Sequence, residues 1–224
     1  MSDIRVKICG LTTPEDARVA DDLGADYLGM ILSQGFGRSV FPDTAMDIKL
    51  AVDTPLVAVF VDELISEVVH IGRMIGASVI QLHGEEGLDY VEKLRCEGDW
   101  AIWKAVQVRD QDTAIDAVRA FGRSVDGVLM DGWREGHPGG TGVSFSWVEM
   151  SSVRLEIPAA VDLIAAGGLK PGNVAGAIRT MRPDIVDVSS GVELQKGRKD
   201  PNLIRSFMRN ARAIEGPAAD SEQS

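Results

Sequence analysis

A cysteine and an aspartate stand where two apolar runs of this chain end. Lys7-Ile8-Cys9-Gly10 closes the first run, and Val128-Leu129-Met130-Asp131 closes a later one. A thiol and a carboxyl on two different strand ends suit a proton-transfer isomerisation, in which one group removes a carbon-bound proton while the other handles a leaving oxygen. Each residue also has a plainer reading. Cysteine is a common inert core residue, and aspartate at a strand end often caps a loop. Lys7 precedes Cys9 by two residues, so in a strand both side chains share a face, and a cation there favours the thiolate. Cys96, beside Leu94 and Arg95 in a helical pattern, has no such setting and reads as packing.

Three small-residue segments, Gly139-Gly140-Thr141-Gly142, Ala166-Gly167-Gly168 and Ser189-Ser190-Gly191, follow apolar runs. Glycines let backbone N–H groups approach an anion, and in barrel enzymes the loops after strands seven and eight form a recurrent phosphate site. Any one Gly-Gly pair is equally a tight turn; the three together favour phosphate. Arg38, in Gly35-Phe36-Gly37-Arg38-Ser39, offers a fork for a carboxylate, or is simply a solvated arginine. His83 ends the run Gln81-Leu82-His83, but the chain lacks the His-x-x-x-His or Cys-x-x-Cys spacing of a metal site, and its His-x-Glu lacks the Pro-Cys-x-x-Cys of zinc deaminases. Trp100 and Trp103 read as packing.

These residues need elements to position them. Apolar, β-branched stretches recur at Ile4–Cys9, Asp26–Leu32, Pro55–Val61, Ser78–Leu82, Trp100–Val106, Asp126–Asp131, Ala160–Ala166 and Asp184–Ser189, each consistent with a strand buried on both faces. Amphipathic helical spacing lies between them at Glu15–Asp22, Leu64–Ile75, Asp89–Cys96, Thr113–Phe121, Asn173–Met181 and Leu203–Ile214. Such alternation selects an α/β fold with a parallel sheet, and eight units in 224 residues fit a single (β/α)8 TIM barrel. An open doubly wound sheet is the rival; the absence of Gly-x-Gly-x-x-Gly before the first helix weakens it. Residues 1–214 are expected to form one barrel domain, and 215–224, without apolar periodicity, a disordered tail.

Hydrophobic residues make up 45% and charged residues 25% of the chain, as in soluble globular proteins. No apolar run approaches the roughly 20 residues that span a bilayer, and the first residues lack the pattern of a secretory leader. A formal net charge of −11 excludes a general nucleic-acid surface, which needs clustered Lys and Arg. The expected setting is the cytoplasm, with both cysteines reduced.

With these residues in view, the chain resembles the phosphoribosylanthranilate isomerase family of tryptophan biosynthesis, from about Val6 to Phe207. The resemblance is carried by Lys7-Ile8-Cys9-Gly10-Leu11-Thr12, Gln81-Leu82-His83-Gly84, Asp131 with Gly139–Gly142 and Phe145-Ser146-Trp147, Ala166-Gly167-Gly168-Leu169-Lys170-Pro171 with Asn173-Val174, and Asp187–Glu193 with Gly197 and Lys199-Asp200. It implies a (β/α)8 barrel without metal or organic cofactor that catalyses an Amadori rearrangement of N-(5′-phosphoribosyl)anthranilate. It further implies Asp131 as general acid toward the furanose ring oxygen, Cys9 as general base at C2′, and Arg38 on the anthranilate carboxylate. Gly167, Gly168, Ser189, Ser190 and Gly191 are then expected at the phosphate, with Gln81, His83, Gly140, Thr141, Gly142 and Asp187 among the other substrate-binding residues. The implied partner is a phosphorylated small molecule, with no nucleic acid or membrane, and the chain is expected as a monomer or homodimer. Where the family carries Ser-Pro-Arg, this chain has Phe36-Gly37-Arg38, so Arg38 is expected in its usual place on a loop that glycine loosens. Two alternatives are another phosphoribosyl isomerase of the same barrel, which would put an acidic residue where Cys9 stands, and a non-catalytic binding barrel, which would not need to keep both Cys9 and Asp131.

Overall fold

Eight apolar runs, too hydrophobic to leave either face in water, form parallel strands that close on themselves. The computed structural model describes residues 4–132 and 152–213. The strands are β1 (Arg5–Ile8), β2 (Tyr27–Ile31), β3 (Leu56–Phe60), β4 (Val79–Leu82), β5 (Ala101–Val108), β6 (Gly127–Gly132), β7 (Asp162–Ala165) and β8 (Ile185–Val188). Each pairs in parallel with the next, and β1 closes the ring on β8 with Lys7 opposite Asp187 and Ile8 opposite Val188. The anticipated closed barrel is the observed one, and each expected strand falls on an observed strand to within about two residues at either end.

The helices are α1 (Pro14–Asp22), α2 (Pro42–Lys49), α3 (Ile65–Met74), α4 (Leu88–Arg95), α5 (Gln111–Phe121), α6 (Val153–Glu156), α7 (Val174–Met181) and α8 (Pro201–Arg212). Their starts follow from local chemistry. Thr13 caps α1 by accepting from the Asp16 N–H ahead of Pro14 at the first turn, and Asp200 caps α8 by accepting from the N–H groups of Asn202 and Leu203 ahead of Pro201. In α8 the buried residues Ile204, Phe207, Met208 and Ala211 recur at i, i+3, i+4 and i+7, one stripe laid on the barrel. Sequence periodicity did not indicate α2, α6, or the two-stranded hairpin β9 (Glu193–Gln195) and β10 (Arg198–Lys199). These are short and carry few buried apolar residues, only Ala45 and Ile48 in α2. The expected tail at 215–224, and residue 214 at the end of the expected domain, lie outside the described residues.

Two apolar layers result. One lies between strands and helices. The other fills the barrel with Val57, Val59, Val79, Trp103, Leu129 and Ile164 and reaches Cys9 at its top. Trp103, 1% exposed, packs edge-on against Tyr27 with ring centroids 4.9 Å apart, so the expectation of packing holds for it.

Candidate active site

Alternation along β1 turns Arg5 and Lys7 into the barrel, and Cys9 continues the column just past the strand's end. Arg5 pairs with Asp162 at the floor. Lys7 is fully buried one level higher, and its ammonium donates to three acceptors: Gln81 Oε1 at 2.8 Å, Asp187 Oδ2 at 3.0 Å and Cys9 Sγ at 3.2 Å. A buried ammonium needs such an acceptor set. Burial opposes its charge, but Asp187 and then Cys9 outweigh burial and hold Lys7 above the ordinary lysine value.

Lys7 therefore shares a face with Cys9, as the two-residue spacing requires. Burial pushes the Cys9 thiol up, Lys7 pulls it down, Asp187 pushes it up again, and the balance lies above the ordinary cysteine value. The lysine acts in the expected direction, and burial opposes it in the unliganded site.

Across the mouth, β4 contributes Gln81, and His83 follows the strand on the same face. The Gln81 amide nitrogen lies 2.9 Å from His83 Nδ1, and His83 Nε2 lies 3.3 Å from Asp131 Oδ2 near the end of β6. Cys9 and Asp131, far apart in sequence, are thus joined by contiguous polar contacts through Lys7, Gln81 and His83. Gln81 is 1% exposed, and both ends of its amide are engaged. Asp187 Oδ1 is buried and has no hydrogen-bond partner among the described residues.

Arg38, on the loop after β2, lies against the segment after β8. Its Nε and Nη2 fork onto Glu193 at 2.6 and 2.8 Å, and Lys199 donates to the same carboxylate at 3.0 Å and to the Ser189 carbonyl at 3.0 Å. Burial opposes the charge of Glu193, but Arg38 and Lys199 hold it below the usual carboxylate value. Burial lowers Lys199 despite Glu193. Gly10 makes this contact possible: its φ of +70° is the left-handed region, and a Cβ there would lie 2.6 Å from Arg38 Cδ and 2.8 Å from Ser189 Oγ.

A Cβ at Gly37 would lie 1.9 Å from Lys196 Cε, so the glycine makes room for a lysine from the β9–β10 turn. The loop itself is braced: Gln34 donates to the carbonyls of Leu32 and Val40, and the Ser39 hydroxyl donates to the Ser33 carbonyl.

Gly167 and Gly168 follow β7 with φ of +76° and +68°. Ser190 and Gly191 open a single 3-10 turn after Ser189. Gly191 packs so closely on the Leu169 carbonyl that the loops after β7 and β8 form one wall. Gly140, Thr141 and Gly142, with Phe145-Ser146-Trp147, lie outside the described residues. Among the described residues, sequence reasoning assigned no role to Glu193, Lys199, Glu86 or Lys104. The lysine at 104 in the apolar run of β5 was a readable signal, because a buried ammonium demands a carboxylate nearby.

A closed parallel barrel with these side chains gathered at the carboxyl end of its strands is the architecture of the (β/α)8-barrel enzymes, which build their active sites at that end. Residues 6–210 match the family model described as N-(5′-phosphoribosyl)anthranilate (PRA) isomerase. An N-(5′-phosphoribosyl)anthranilate isomerase of Trichlorobacter lovleyi is 40% identical over 211 residues, covering 93% of this chain and 98% of the relative. A crystal structure of monomers of the dimeric isomerase from Thermotoga maritima superposes with a TM-score of 0.83 at 33% identity, covering 94% of this chain and 100% of that one. A second, of a phosphoribosylanthranilate isomerase in complex with reduced 1-(o-carboxyphenylamino)-1-deoxyribulose 5-phosphate, gives 0.82 at 31% identity with the same coverage. The chain belongs to the N-(5′-phosphoribosyl)anthranilate isomerase family.

Proposed function

We propose that the chain catalyses the Amadori rearrangement of N-(5′-phosphoribosyl)anthranilate to 1-(2-carboxyphenylamino)-1-deoxyribulose 5-phosphate in tryptophan biosynthesis, with Asp131 as general acid and Cys9 as general base. The observation that carries the reading is the joining of these two groups at one barrel mouth through Lys7, Gln81 and His83. Asp131 gives a proton to the furanose ring oxygen as the bond from that oxygen to C1′ breaks and the anilino nitrogen lone pair forms the C1′–N double bond. The Cys9 thiolate then takes the C2′ proton, and the electron pair moves toward nitrogen to leave an enolamine. Protonation at C1′ and loss of the C2′ hydroxyl proton give the aminoketone, with no net gain or loss of atoms.

The surroundings support these roles. Lys7 supplies the cation that a thiolate needs once substrate is bound. The unpartnered Oδ1 of Asp187 is an acceptor for a ribose hydroxyl. Arg38, steered by Glu193, meets the anthranilate carboxylate, and the joined loops after β7 and β8 receive the phosphate. Residues 1–214 serve as one catalytic barrel, and the biosynthetic family, together with two free cysteines, supports a place in the cytoplasm. A homodimer is one expected assembly, since the Thermotoga maritima relative is described as dimeric.

The test is conversion of freshly generated N-(5′-phosphoribosyl)anthranilate, followed by loss of its fluorescence and corrected for spontaneous decay. Wild type should convert it, while Cys9→Ala and Asp131→Asn, folded by circular dichroism, should lose at least about a hundredfold in kcat, the lower range for general acid–base catalysis. Near-normal turnover by either variant would remove the role given to that residue.

A further inference from the structure

We infer that Lys7, acting through Gln81, fixes the proton of His83 on Nε2 and so makes His83 the positioning residue for the general acid Asp131. This rests on the assignment of Asp131 under the proposed function. An ammonium only donates, so the end of Gln81 that faces Lys7 Nζ at 2.8 Å is the carbonyl oxygen. The amide nitrogen is thereby turned toward His83 Nδ1 at 2.9 Å. An amide NH2 also only donates, so Nδ1 is the acceptor, and a neutral imidazole with its lone pair on Nδ1 carries its proton on Nε2. That nitrogen lies 3.3 Å from Asp131 Oδ2.

The direction of each hydrogen bond is therefore set from the lysine outward, and the last one is donated to the carboxyl of the acid. It meets the charge that appears on Asp131 when the proton leaves. It also engages Oδ2, leaving Oδ1, on the side of Gly167, as the oxygen that delivers the proton. Gln81, 1% exposed, has one end of its amide engaged by Lys7 and the other by His83.

The experiment is nitrogen-15 NMR of the imidazole groups in histidine-labelled full-length protein, above the ordinary histidine titration range, with the His83 signals assigned by their loss in His83→Asn. Wild type should show Nε2 protonated and Nδ1 bare. In Gln81→Glu a carboxylate accepts from both neighbours, so the tautomer should invert to Nδ1–H and present a lone pair to Asp131. kcat should then fall on the order of tenfold to a hundredfold, part of the general-acid effect, with KM changed less than about threefold. An Nδ1–H tautomer in wild type overturns the inference without any variant, as does Gln81→Glu with kcat unchanged. If Asp131→Asn remains active, the acid assignment itself fails, whichever tautomer His83 shows; if that variant is inactive and the tautomer is wrong, only the present inference falls.

Discussion

The Arg38 guanidinium is forked onto the Glu193 carboxylate, 155 residues away in sequence, through two hydrogen bonds of 2.6 and 2.8 Å. The pairing uses Nε and one N–H of Nη2, so the remaining donors stay available for a second carboxylate. Glu193 thus aims the arginine and does not merely occupy it. Arg38→Ala removes a charge-assisted contact worth roughly 1.5–3 kcal/mol. The expected outcome is KM raised about ten- to a hundredfold with kcat within about threefold, since the contact is made equally in ground and transition states. Steady-state kinetics on the isomerisation decide it; a fall in kcat at constant KM would mean that Arg38 acts on the transition state instead.

Glu193 also ties folding to pH. Its carboxyl titrates below the ordinary glutamate value of 4.5, so the unfolded chain binds its proton first on acidification. Stability from this group is fully present above about pH 4.5 and is lost as pH falls through the lower folded value. Glu193→Gln should therefore lower the urea midpoint at pH 7 and flatten its decline below pH 4.5 relative to wild type. Parallel declines in the two proteins would show that other carboxylates carry the acid sensitivity.

For the base, the buried Lys7–Cys9 contact at 3.2 Å sets an ordering of thiol reactivities. Burial already holds the Cys9 thiol above 9.0, and Lys7 is the largest opposing influence. Lys7→Met leaves burial and Asp187 pushing the thiol up against only the weaker pull of Lys199, so the balance moves further up. At a fixed pH below the inflection, iodoacetamide alkylation of Cys9 should slow by roughly tenfold for each unit of rise. Cys96 is exposed and free, so the comparison belongs in a Cys96→Ala background. Equal alkylation rates in the two proteins would separate Lys7 from the chemistry of the thiol.

How much of this was legible in the sequence depended on how local each cause is. The strands could be read because runs such as Leu56–Phe60 are buried at every position and have few alternatives. The Lys7–Cys9 proximity followed from period two within one strand. Contacts of Lys7 with Gln81 and Asp187 arise only when the ring closes, so no local pattern announces them. The Glu193–Lys199 hairpin was hidden because Leu194, Gln195 and Lys196 are exposed and carry no apolar period. Resemblance marked Glu193 and Lys199 as part of a motif but gave them no partner; Arg38 became that partner only through the fold.

Another buried ion pair supports the loop that carries His83. On the helix-facing side of β5, Lys104 donates to Glu86 Oε2 at 3.1 Å and to the Gly84 carbonyl at 2.5 Å, while Glu86 accepts from the N–H groups of Asp62 and Gly84 at 2.9 and 3.0 Å. Both side chains are at most 5% exposed. Breaking such a pair from one side leaves an uncompensated charge and costs about 3–5 kcal/mol. Here two backbone N–H donors remain on Glu86, which puts Lys104→Met near the lower end, about 3 kcal/mol. Urea denaturation should show that loss, and the double variant Lys104→Met/Glu86→Leu should recover only part of it, because the N–H groups of Asp62 and Gly84 then lose their acceptor. A double variant as stable as wild type would mean that the pair is replaceable by apolar packing and does not brace the loop.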